Sequence, residues 1–121
     1  MTDEKRVYDL EERTFIFARD CRILVRKLSR TLENVEDCKQ LVKSSGSVSA
    51  NYIEANESLS KKDFRYRIKI CRKESKESKL WLRLLAEMNE KEQKDIKTLV
   101  QEADELKRIF SSILHKSEPA A

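Results

Sequence analysis

KKDFRYRIKICRKESKESKLWLR, residues 61–83, carries ten Lys or Arg against three acids, Asp63, Glu74 and Glu77. Inside it Phe64, Ile68, Cys71, Ser75, Ser78 and Leu82 recur in alternating steps of four and three, and Leu85 extends the row. That spacing is the a/d seam of a helix in left-handed, near-parallel packing. A second row runs beside the seam with the same steps: Arg65, Lys69, Arg72, Lys76, Lys79 and Arg83, with Lys73 next to it. On a helix these cations form one straight stripe, roughly 27 Å long at about 1.5 Å rise per residue.

The same reading extends along the chain. Four stretches open with a capping signature: Asp9 to Glu12, Asn34 to Asp37, Ser60 to Asp63 and Asn89 to Glu92. Each places an oxygen-bearing side chain at the N-cap and a carboxylate at N3, near the positive end of the helix dipole. The signatures lie 25, 26 and 29 residues apart, so four helices of similar length with short links must double back on one another. The expected fold is all-α, an up-down-up-down antiparallel four-helix bundle. The first helix offers Leu10, Phe17, Cys21, Leu24 and Leu28 to the core. The fourth offers Ile96, Leu99, Ala103, Leu106, Phe110 and Ile113. In the second, Leu41, Val48, Tyr52, Ala55 and Leu59 keep the spacing, but KSSGSVSAN (43–51) has poor helix propensity. A helix kinked near Gly46 is expected there. Residues 1–8 read as a loose arm, 9–116 as the bundle and 117–121 as a disordered tail.

Composition narrows the function classes. Hydrophobic residues make up 39% and charged residues 40%, with one Gly and one Pro, which favours long amphipathic helices over sheets. A chain of 121 residues buries a modest core, leaving little room for a large active-site cavity. No apolar run approaches the ~20 residues that span a bilayer. No secretory h-region opens the chain, so a cytoplasmic setting without membrane partners is expected. Cys21, Cys38 and Cys71 form no CxxC pair and read as small buried thiols. The lone His115 has Ser112 three residues earlier, so the Glu-x-x-His repeat of a di-iron bundle is missing. No metal, cofactor or catalytic residue is expected, and the chain reads as a non-enzyme.

Two sets of residues remain. Residues 61–83 hold a net +7 while the whole chain carries +4, so charge is concentrated on the third helix. Arg65, Lys69, Arg72, Lys73, Lys76, Lys79 and Arg83 are candidate phosphate contacts for RNA or DNA, with Tyr66 the one exposed aromatic. Alternatively, Glu102, Asp104 and Glu105, or Glu54 and Glu57, pair with the stripe. An acidic partner protein is the other binding class. The second set, Asn51, Glu54 and Glu74, reads as a polar network that fixes helix register. Apolar residues off the seams (Ile16, Ile23, Ile70, Leu80 and Trp81) suggest self-association.

YDLEERTFIFARD (8–20), VSANYIEANESLSKKDF (48–64) and CRKESKESKLWLRLL (71–85) together resemble the bacterial 23S rRNA intervening-sequence proteins. Asn51, Glu54 and Ala55 match that family's Asn-x-x-Glu-Ala block; Arg72, Lys73 and Glu74 match its Arg-Lys-Glu block, and Trp81 its Trp. Cys71 and Ser75 stand where the family usually has Ala. The resemblance implies a four-helix bundle, a ring-shaped homopentamer and no established enzymatic activity. A related branch, the accessory variability protein of diversity-generating retroelements, is thought to engage RNA and a reverse transcriptase. An RNA, a DNA or such a polymerase is therefore the partner class the resemblance implies.

Overall fold

A computed structural model of the protein describes residues 10–119. Four helices follow in order: α1 (Leu10–Lys27), α2 (Leu32–Asn56), α3 (Lys61–Met88) and α4 (Gln93–Lys116), with a one-turn 3-10 segment, Glu90–Glu92, leading into α4. The three links are four residues long, which forces each helix back along the previous one. α2 packs on α3 and α3 on α4, while α1 closes the bundle against α2 and α4. α1 and α3 thus occupy opposite corners. This is the up-down-up-down bundle that the periodicity predicts. Among the described residues no helix is long and apolar enough to cross a membrane.

The seams face inward as spaced. Phe17, Cys21 and Leu24 of α1, Leu41 and Val48 of α2, Ile68, Cys71, Leu82 and Leu85 of α3, and Ile96, Leu106 and Phe110 of α4 are all buried. Each such aliphatic or aromatic side chain contributes about 1.5–3 kcal/mol on leaving water. Two expected core positions move. Leu114 is buried at the end of α4 and Ile113 packs half-buried beside it. Leu59 is 99% exposed, because α2 stops at Asn56 and Leu59 falls in the link.

The middle of the α2–α3 contact is small and polar. Ser44 Oγ and Ser78 Oγ share a 2.8 Å hydrogen bond, and Ser75 Oγ donates to the Cys71 carbonyl at 2.8 Å. Serines at these buried positions keep the two backbones close while satisfying their own hydroxyls. The same contact explains why α2 runs unbroken through KSSGSVSAN. Ser44, Ser45 and Val48 are buried there, so tertiary packing overrides weak local propensity. Gly46 has a specific role. The Arg22 guanidinium lies against it, 3.1 Å from where a Cβ would stand, and donates to the carbonyls of Ala18 and Val42.

Helix starts differ from the capping signatures at two places. Ser60 caps α3 as predicted, its hydroxyl accepting from the Asp63 N–H at 3.0 Å. Asp9 lies outside the described residues. Asn34, however, is not the cap of α2. Thr31 is, accepting from the Asn34 N–H at 3.2 Å. Asn89 makes no side-chain cap bond either. Both amides are buried instead and face each other. Each Nδ2 donates to the other's Oδ1 at 2.8 Å, and each also donates to a backbone carbonyl, Asn34 to Ser29 and Asn89 to Leu85. The pair ties the α1–α2 link to the α3–α4 link.

At the other end, Ser117 caps α4, its N–H bonding the Ile113 carbonyl at 3.0 Å. Ser117, the first residue of the expected tail, is thus tied to the helix end, and Ala120 and Ala121 lie outside the described residues, as does the arm 1–8.

The Asn34–Asn89 pair carries a thermodynamic signature. Asn34→Ala strands half of a buried reciprocal pair and is expected to cost about 1–3 kcal/mol in urea unfolding. Asn89→Ala should cost a similar amount. The double variant should lose clearly less than the sum of the two. Strict additivity would show that the two amides act independently.

Candidate nucleic-acid interface

With the α3 seam buried, the cationic row is held on its flank toward α4. The structure divides that row into three groups. Arg65 is half-buried and turned inward: Nη1 donates to the Leu114 carbonyl at 2.6 Å and to Ser117 Oγ at 2.7 Å. It satisfies an orphan carbonyl at the negative end of the α4 dipole. Arg65 is thus a helix-end clamp and not the free phosphate contact expected of it. Lys79 is also engaged, its Nζ 2.9 Å from Asp104 Oδ1. Asp104 in turn meets Arg108 at 3.1 Å and Lys107 at 3.9 Å. The Lys79 hydrogen bond, with these neighbouring cations, holds the Asp104 carboxyl below the usual range.

Lys69, Arg72, Lys76 and Arg83 form the third group. All four are exposed, and among the described residues none makes an ion pair or a side-chain hydrogen bond. Lys73 joins them, held only by a 3.8 Å contact to Glu74. A groove of about 410 Å³ opens here, with Lys73, Lys76, Lys79, Arg83 and the acid Glu77 around Leu80 and Lys107 reaching in from α4.

Of the acids expected to neutralise the row, only Asp104 does so. Glu102 and Glu105 face α1 instead. Arg13 grips Glu102 through two 2.8 Å hydrogen bonds and meets Glu105 at 3.2 Å. That bidentate geometry fixes α1 to α4 and holds the Arg13 pKa above its ordinary value. Glu54 and Glu57 are exposed and pair with no cation among the described residues.

The polar set is rearranged too. Asn51 Nδ2 donates to the carbonyl and hydroxyl of Ser47 at 2.9 and 3.0 Å, and its Oδ1 accepts from Arg67 Nη1 at 3.0 Å. Arg67 is the member that sequence reasoning missed. It lies seven residues before Glu74, on the α2-facing flank, and that spacing was the available signal. Glu54 takes no part. Its side chain is exposed, and its backbone carbonyl accepts from Ser58 Oγ and from the Glu57 N–H at the helix end. Glu74 is half-buried. Burial pushes its carboxyl pKa up and Glu77 adds to the rise, while Lys73 and the Ser47 hydroxyl oppose it.

The thiols lie apart from all of this. Cys21, Cys38 and Cys71 are free and buried, and desolvation pushes Cys21 and Cys71 up to about 12. Trp81 packs half-buried against the core. A concavity of about 560 Å³ is also elsewhere, between the end of α1 and the start of α2, walled by Val25, Leu28, Val35 and Val42.

The described residues define the class as a small all-α bundle with a one-sided cationic helix. The model of the 23S rRNA-intervening sequence protein family matches residues 8–112, and the chain belongs to that family. No curated protein sequence matches it. A similar solved structure is a protein of unknown function of the S23 ribosomal protein family from Bacteroides thetaiotaomicron. It superposes with a TM-score of 0.75 at 23% identity, over 86% of this chain and 96% of that one, which is a likeness of fold.

Two predictions separate structural from ligand-facing groups. Arg65→Ala should free the last turn of α4, at a local cost of about 1–3 kcal/mol. Faster amide exchange at Ser117 would report it, with affinity for a nucleic acid changed less than about twofold. Glu74→Gln should raise stability at pH 7. A carboxylate whose folded pKa is raised costs stability from its unfolded pKa upward, in full once pH exceeds the raised value. The advantage should therefore shrink as pH falls through the raised value and vanish below the unfolded one. An advantage that is flat from pH 7 to pH 3 in urea unfolding would show that burial of Glu74 carries no charge penalty.

Proposed function

We propose that this protein is a non-enzymatic, cytoplasmic homo-oligomer that binds RNA or DNA through phosphate contacts on the outer face of α3. One observation carries the reading: Lys69, Arg72, Lys76 and Arg83 stand exposed along a single helix face, without partners among the described residues. Cations in register displace counterions from a polyanion with little regard to sequence. Four such contacts correspond to a log–log salt slope of about −3.6 on duplex DNA and about −2.8 on a single strand.

Self-association is supported by apolar residues away from the stripe. Phe15 and Ile23 of α1 are 54% and 44% exposed. α1 lies at the corner opposite α3, so contacts through it leave the cations facing outward. The family resemblance supports a pentamer. An acidic protein partner, such as a polymerase, is the second reading. It is favoured by the Lys79–Asp104 pair, in which this same row already takes a carboxylate.

Purification with and without nuclease, followed by light scattering and binding at about 50 mM salt, tests the proposal. Co-purifying nucleic acid that nuclease removes, and affinity for a generic strand, are the expected results. The double reversal Arg72→Glu/Lys76→Glu should reduce affinity more than about tenfold with oligomer mass unchanged. Dissociation of the oligomer in that variant would place the row inside a subunit interface. Failure of any strand to bind would favour the acidic protein partner.

A further inference from the structure

A second row on α3 faces solvent beside the unpaired cations. Leu80, Leu84 and Met88 follow at steps of four and remain 45%, 41% and 59% exposed. Tyr66, 60% exposed, lies two heptads before Leu80 and so on the same face. All four point away from the seam that buries Leu82 and Leu85. Folding of the monomer gives no reason for the three aliphatic side chains, while Tyr66 carries the Arg67 guanidinium 5.7 Å from its ring centroid. On the helix surface Lys76 lies four residues before Leu80 and Arg83 three after it, so the two cations flank this leucine directly. The groove described above holds Leu80 and both cations together, with Glu77 the one acid in its lining.

We infer that this face takes a single-stranded nucleic acid, with phosphates at Lys76 and Arg83 and unpaired bases on Leu80, Leu84 and Tyr66. The inference rests on the phosphate-contact reading of the stripe. A duplex fits poorly, because it presents phosphates outward and keeps its bases stacked inside. The apolar row would then be pressed against a charged backbone with nothing to bury. An unpaired strand resolves the mismatch: its backbone follows the cations while its base faces, which are flat and apolar, cover the neighbouring row. Met88 adds a thioether, which makes favourable contacts with aromatic rings. The contacts read base faces and not base edges, so they imply little sequence preference.

The test compares a labelled 20-nucleotide oligothymidylate with a duplex of equal length by fluorescence anisotropy, on the intact oligomer, across a range of salt. The single strand should bind at least about tenfold more tightly. Tyr66→Ala/Leu84→Ala should lower single-strand affinity about tenfold, leaving duplex affinity and the salt slope unchanged. Lys76→Gln should weaken both ligands and reduce the single-strand slope by about 0.7. Equal or tighter duplex binding overturns the inference and leaves the phosphate reading standing, as does an unchanged single-strand affinity in the Tyr66/Leu84 variant. Binding of neither nucleic acid overturns both. Loss of oligomer mass in the Tyr66/Leu84 variant, with helix content intact by circular dichroism, makes the row a subunit contact and overturns the inference. So does capture by phosphatidylglycerol vesicles in preference to the strand.

Discussion

The azimuth of α3 governs everything else in this molecule. Ile68, Cys71, Ser75, Ser78, Leu82 and Leu85 are all buried, so the helix cannot rotate without exposing part of its seam. The serines sharpen this constraint. A large side chain at Ser75 or Ser78 would hold α2 away, whereas the Ser44–Ser78 hydrogen bond is made only in one register. Once that register is set, every other residue of α3 has a fixed outlook. Arg67 and Glu74 face α2, Arg65 and Lys79 face α4, and Lys69, Arg72, Lys76 and Arg83 face water. The charge pattern of the surface is thus a consequence of core packing.

The fold was legible because its signals are periodic and repeated. Steps of four and three named nearly the whole core, and they survived even the serine-rich half of α2. What escaped was anything decided by pairing across helices. Asn34 and Asn89 carry good N-cap chemistry, but both sit where the bundle end closes, and burial of two amides against each other outweighs a cap that Thr31 supplies as well. Leu59 keeps the heptad step, yet Glu57 and Ser58 end the helix before it.

The candidate site shows the same division. Which residues share the row could be read from spacing alone. Which of them are free could not, because Arg65 and Lys79 differ from Lys69 and Lys76 only in what α4 places opposite: a helix end with Ser117 in one case, Asp104 in the other. One sequence carries no alignment of those two helices to within a residue. Glu54 and Arg67 exchanged roles in the polar set for that reason.

The four unpaired cations cannot be explained by a shortage of acids. Glu54, Glu57, Glu87 and Glu90 are exposed and also pair with nothing among the described residues. Like charges at three- and four-residue steps repel by a few tenths of a kcal/mol each, about 0.2–0.5 in isolated helices. A single acid within the row would have relieved that cost, as Asp104 does for Lys79. Instead the apolar seam, the exposed leucines and most of the cations keep to separate lines of the same helix, Lys73 standing one heptad before Leu80 on the leucine line. A monomer gains no stability from that separation. In the proposed function an external polyanion turns that repulsion into binding energy, and the placement of the cations is the feature which that reading accounts for.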